Sequence, residues 1–216
     1  MRKLILAISS FVFIMTSAIA EVNLGVSGVY IDVEASGTET LKQSKAEQTK
    51  KHTDNAAAAE LFMEVVTDNG LTIGVALMPG KAEIGTKTAT RTDKLQTGSS
   101  SVTQKAQAEF SGHTTIYAHV PIGSSAFYGK LGGGFVDVDT NESLGTGASY
   151  GNESVSFATV GLGFQRDMSN GLFMRAEATY SDYEKFELKS TNSDAVSTIK
   201  ADIETITGRV SVGKSF

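Results

Sequence analysis

Eight stretches of the chain alternate apolar with polar or small side chains, and the connections between them alternate as strictly between short and long. The stretches run over residues 22–34, 57–67, 71–82, 106–119, 125–138, 154–166, 172–186 and 201–216. A period of two is the signature of strands with two unlike faces. Asp68-Asn69-Gly70, Pro121-Ile122-Gly123-Ser124 and Asp167-Met168-Ser169-Asn170-Gly171 are compact turn formers. The other four connections, at 35–56, 83–105, 139–153 and 187–200, are longer and polar. All tight turns therefore fall at one end of the sheet and all long loops at the other. The second stretch is ambiguous, because "NAAAAELFMEVV" is rich in helix formers. Leu61, Met63 and Val65 alternate there with Glu60, Phe62 and Glu64, which decides for a strand.

The predicted fold class is all-β: an eight-stranded antiparallel up-and-down transmembrane β-barrel, with both chain ends on the turn side. Residues 1–20, "MRKLILAISSFVFIMTSAIA", place Arg2 and Lys3 before an apolar run and end on Ala18-Ile19-Ala20. That is the layout of a cleaved export signal, so the expected domains are 1–20 as signal peptide and 21–216 as barrel. Removing the two basic residues takes the formal net charge from -5 to -7, which disfavours nucleic-acid partners. The chain has no cysteine, so neither a disulfide framework nor a lipidated cysteine is available. No further apolar run is long enough for a membrane helix, which leaves a soluble exported protein or a membrane barrel.

The two faces differ sharply. One carries Val22, Leu24, Val26, Leu61, Leu71, Ile73, Val75, Phe110, Ile116, Leu131, Val160, Leu162, Met174, Tyr180, Ile206, Val210 and Val212. The other carries Asn23, Ser27, Glu60, Glu64, Thr72, Glu109, Ser111, His113, Lys130, Gln165, Arg175, Glu177, Thr207, Arg209 and Ser211. A soluble barrel would turn the apolar set inward, and alternation alone does not exclude that inversion. Segregation of the long loops, and Tyr30, Phe127, Phe135, Tyr180 and Phe216 near the ends of the apolar bands, favour lipid outside.

The chain ends "GRVSVGKSF". With the export signal and the eight strands, this ending resembles small eight-stranded outer-membrane barrels of the OmpA, OmpX, OmpW and opacity-protein kind. The resemblance implies residence in the cell outer membrane and contact with its lipid and lipopolysaccharide. It also implies that Val210, Val212 and Phe216 form the signal read by the barrel-assembly machinery. Lys214 departs from that pattern, where an apolar residue is usual, but near the interface its charge can reach the headgroups.

An eight-stranded barrel is just wide enough to be filled by side chains, so enclosed charges must find partners. Glu60, Glu64, Glu109, His113, Lys130, Arg175, Glu177 and Arg209 are expected to form that network, with Arg175 and Glu177 beside Arg209, and Glu109 and His113 beside Lys130. Inward Gly74, Gly132, Gly134, Gly161, Gly163 and Gly213 would leave space beside the charges or serve tight curvature. Ser111 and His113 share the inner face, too little for a catalytic triad, and neither a metal site nor a cofactor is expected. The function expected is structural or surface-interacting, by a monomer plugged with ion pairs. A narrow solute channel is the alternative, and a loop-mediated adhesin or receptor the third. Residues 83–105 hold Lys87, Arg91, Lys94 and Lys105 against Glu83 and Asp93, a basic excess that suits an anionic surface.

Overall fold

The computed structural model describes residues 19–41, 47–95, 98–143, 151–189 and 197–216. Ten β segments make eight antiparallel staves: β1 (Ile19–Leu41), β2 (Glu47–Thr67), β3 (Thr72–Leu77) continued by β4 (Lys81–Leu95), β5 (Gly98–Pro121), β6 (Phe127–Ser143), β7 (Glu153–Asp167), β8 (Leu172–Tyr183) continued by β9 (Phe186–Lys189), and β10 (Ser197–Ser215). Each stave pairs with its neighbour in sequence, and β1 pairs with β10 from Asn23↔Ser215 to Leu41↔Ser197, so the sheet closes. The export signal expected at residues 1–20 lies almost wholly outside the described residues.

The three tight turns form where Asp-Asn-Gly, Pro-Ile-Gly-Ser and Ser-Asn-Gly fall. Gly70, Gly123, Asn170 and Gly171 all take positive φ, which side chains other than Asn tolerate poorly. The long connections are corrected: 35–56 and 83–105 are mostly strand, since β1 and β2 run to Leu41 and from Glu47, and β4 and β5 to Leu95 and from Gly98. Thr-rich polar sequence is a good strand former once a ladder exists to extend.

Near the middle of the wall two irregularities coincide. The third stave breaks at Met78–Gly80, and β5 bulges between Ser111 and Thr114, with Gly112 at φ +60°. The Met78 N–H donates to the His113 carbonyl at 3.0 Å, so the break and the bulge satisfy each other.

Apolar parity switches along the staves without any slip of the β1–β10 register. On β1, Val22, Leu24 and Val26 face out, whereas Val29, Ile31 and Val33 are buried inside while Tyr30, Asp32 and Glu34 are exposed. The same switch separates Leu131 and Phe135 from Val136 and Val138, Leu162 from Val155 and Phe157, and Ile206 from Ile203. Below the switch the barrel is polar inside and apolar outside; above it the barrel has a soluble protein's polarity. The lipid-facing band on β8, Leu172 to Tyr180, is nine residues long, the length a tilted strand needs to cross a hydrocarbon layer.

Candidate functional site: the enclosed charge network

In the membrane-level half, alternation sends one carboxylate or cation after another into the lumen. Glu64 is fully buried, and Arg175 grips it with two parallel bonds, Nη1 to Oε1 at 2.6 Å and Nη2 to Oε2 at 2.9 Å. Tyr117 Oη donates to the same carboxylate at 2.7 Å and Asn23 Nδ2 at 3.2 Å, so both oxygens are satisfied. Arg175 also donates to Gln165 Oε1 at 2.7 Å, and Gln165 donates to Asp167 at the turn end.

Two further pairs lie beyond. Lys130 Nζ is 3.0 Å from Glu177 Oε1 and 4.0 Å from the centre of the Tyr117 ring. Arg209 Nε is 2.8 Å from Glu60 Oε1, and its Nη1 is 3.8 Å from Glu177 Oε2. His119 sits between the carboxylates, Nε2 at 3.3 Å from Glu177 and Nδ1 at 3.7 Å from Glu64. Among the described residues, the interior thus holds Lys130, Arg175 and Arg209 against Glu60, Glu64 and Glu177. Arg209 reaches Glu60 across the whole of β1, and Ser27 and Ser211 bond at 2.9 Å beside it, so side chains bridge the closure of the barrel from within.

Three of the expected positions, Glu109, Phe110 and Ser111, are corrected. Glu109 is not in the lumen: with Ser111 it stands on the outer face above the lipid band, where Lys81 Nζ lies 3.0 Å from both Glu109 and Asp139. Ser111 donates to Asp139 at 3.0 Å, and the Lys81 hydrogen bond holds the Asp139 carboxyl below its ordinary value. The bulge at Gly112 adds one residue, which sends Phe110 (3% exposed) inward and Glu109 and Ser111 outward. Ser111 and His113 consequently occupy opposite faces, and the serine–histidine pair does not form. His113 is inside but apart from the ion pairs, stacked on Phe157 at 4.6 Å with Nε2 3.3 Å from Tyr183 Oη. His119 and Tyr117 joined the site unannounced, although alternation onward from His113 points both of them inward.

The inward glycines are not empty space. Gly25, Gly74, Gly163 and Gly213 each lie directly opposite an aromatic residue, Phe62, Tyr117, Tyr128 and Phe173 respectively, whose ring lies against the glycine. A Cβ at Gly74 would fall 2.5 Å from the Tyr117 ring. Gly132, Gly134 and Gly161 close instead against neighbouring backbone carbonyls. We expect Gly74→Val to displace Tyr117 from Glu64 and cost about 1–3 kcal/mol, measured as a fall in the urea midpoint of the folded barrel, with Gly28→Val, on the open outer face, as the unchanged control.

At the turn end a vestibule of about 420 Å³, lined by Asn23, His119, Tyr128, Gln165 and Asp167 among others, opens outward. Beyond it the lumen is filled, first by the ion pairs and then by the apolar cluster of Val29, Ile31, Val33, Phe110, Val136 and Phe157. A void of about 10 Å³ lies between the two layers. Among the described residues, no three His, Asp or Glu side chains gather to hold a metal ion. Val210 and Val212 point to lipid, and Phe216 is exposed at the turn-side edge, with Lys214 Nζ 5.1 Å from its ring.

No protein-family model and no curated protein sequence matches this chain. Its fold matches the outer membrane protein OprG from Pseudomonas aeruginosa with a TM-score of 0.55 at 12% identity, covering 92% of this chain and 97% of that one. It also matches the outer membrane protease OmpT from Escherichia coli with a TM-score of 0.51 at 7% identity, over 94% and 99% of the two chains. Closed wall, apolar band and charged lumen together define the class: an integral eight-stranded β-barrel of the outer-membrane type. At these identities the likeness is one of fold.

Proposed function

We propose that the protein is a closed, monomeric outer-membrane barrel whose function lies in the wall it raises above the lipid. The parity switch carries this reading. A barrel needed only to cross lipid has no reason to continue as a stave bundle with an apolar core and a charged exterior. Beyond Tyr30, β1 runs eleven more residues, about 35 Å of strand, and the β4–β5 arm extends farther. The filled lumen favours a plug over a pore, because an open path would need both the ion-pair layer and the apolar layer to part.

The β4–β5 arm carries the basic excess of residues 83–105, which suits an anionic glycolipid such as lipopolysaccharide. Val210, Val212 and Phe216 serve recognition by the assembly machinery. The test uses the purified barrel in lipid nanodiscs and lipopolysaccharide vesicles. Binding should fall at least about tenfold when residues 84–107 are replaced by a two-residue turn, and planar bilayers should show no conductance steps. Steps with the unaltered barrel would overturn the closed lumen; binding indifferent to the shortened arm would overturn the surface role.

A further inference from the structure

The void between the ion-pair layer and the apolar layer is lined by Arg209, Lys130, His113, Thr115, Thr179 and Thr207 among others, and no Asp or Glu among the described residues lines it. Its volume, about 10 Å³, corresponds to one water-sized particle. Two of its lining side chains, both more than nine-tenths buried, hold nitrogens with no hydrogen-bond partner: Arg209 Nη1, whose ion-pair contact to Glu177 Oε2 is 3.8 Å long, and His113 Nδ1. The register explains the asymmetry. Glu177 is opposite Arg209, and Glu60 is opposite Ser27, which pairs with Ser211; Thr179 and Thr207, at the level of Lys130, lie farther from the turns. Two of the three ion pairs, Lys130–Glu177 and Arg209–Glu60, therefore keep their carboxylates toward the turn end and present their cations to the void, while Arg175–Glu64 lies nearer the turns and does not line it.

We propose that this void is a binding site for one small monovalent anion, of which chloride is the representative, held by Arg209, Lys130 and the surrounding hydroxyls. A site lined by donors and two cations, inside a low-dielectric barrel, favours an anion over water because charge-assisted bonds are the stronger ones. The remaining question is charge balance, since three cations already face three carboxylates and a lone added anion would be costly. His113 resolves it. Its titratable and charged surroundings are Tyr183 on β8, Arg209 on β10 and Lys130 on β6, with no carboxylate, so the imidazole is neutral in the empty site and takes up a proton only with the anion as its counter-charge. Anion and proton enter together, and occupancy falls as pH rises, by up to about tenfold in affinity per pH unit for one linked proton. This site is independent of the surface role proposed above.

The test is bromide anomalous scattering from crystals of the whole barrel grown with sodium bromide at pH 5 and at pH 8. We expect a bromide peak within contact of Arg209 and Lys130 at pH 5, weakened at pH 8. The peak should be absent in Thr207→Val, which removes one hydroxyl donor and leaves every ion pair in place. Heat-modifiable gel migration establishes that this variant is folded. A void with no anomalous peak at pH 5, occupied by water alone, would overturn the proposal, as would a peak of equal strength at both pH values or one unaffected by Thr207→Val.

Discussion

Arg175→Met should lower the unfolding free energy of the barrel by about 3–5 kcal/mol, more than any other single change in the lumen. Arg175 makes both bonds to Glu64 and two to Gln165, and its guanidinium lies 5.0–5.6 Å from the ring centres of Phe62, Tyr128 and Phe173. Methionine fills much of the same space but leaves the fully buried Glu64 carboxylate with Tyr117 and Asn23 as its hydrogen-bond partners. Removing one member of a buried pair is costly because the survivor stays charged where water cannot reach it. Replacing both members should therefore rescue: Glu64→Met with Arg175→Met is expected to fall within about 1 kcal/mol of the original protein, or above it. Urea titration of barrel refolded into vesicles, followed by gel migration, measures all three, and the chain's lack of tryptophan makes gel migration the practical probe. An Arg175→Met barrel as stable as the parent would mean that the pair contributes nothing to the closed lumen.

Most of this site could be read from period two alone. Glu60, Glu64, Lys130, Arg175, Glu177 and Arg209 sit on unbroken stretches, where each step of two keeps the same face, and all six are in the lumen. The failure is confined to β5, where one extra residue at Gly112 reverses the faces of everything before it. The signal was a glycine in a strand interior, but glycines abound in this chain and Gly132, Gly133 and Gly134 bend no register. Glu109 was therefore misplaced together with Phe110 and Ser111, one cause producing three errors.

The parity switch is legible in the sequence. Val22, Leu24 and Val26 are even-numbered, Val29, Ile31 and Val33 odd, and β6, β7 and β10 show the same reversal, all on the loop side of the lipid band. A search for one apolar face per strand stops at the switch and treats the rest as loop. That is why 35–56 looked unstructured although its backbone pairs throughout the described residues. The switch depends on solvent: apolar side chains face whichever side lacks water, which is outward at lipid depth and inward above it. The wall above the lipid band and the membrane wall are thus one sheet obeying one rule in two solvents.

That rule predicts how a charge is tolerated at each depth. Leu162 lies at mid-band on β7, 64% exposed, and Asp137 lies on β6 one outward position beyond Phe135, above the switch. Leu162→Arg should cost about 2–4 kcal/mol in a bilayer, because the guanidinium must be drawn toward the headgroups from the middle of the hydrocarbon. Asp137→Arg should change stability by no more than about 1 kcal/mol, since its position is in water or at the headgroups. Both are read from urea unfolding in vesicles of defined thickness. The pair separates two explanations that a single mutant leaves mixed, general intolerance of arginine on a β surface and the specific cost of lipid depth. Equal effects at the two positions would remove the lipid boundary drawn at Tyr30, Phe135 and Tyr180, and with it the division of the barrel into a membrane half and an exposed half.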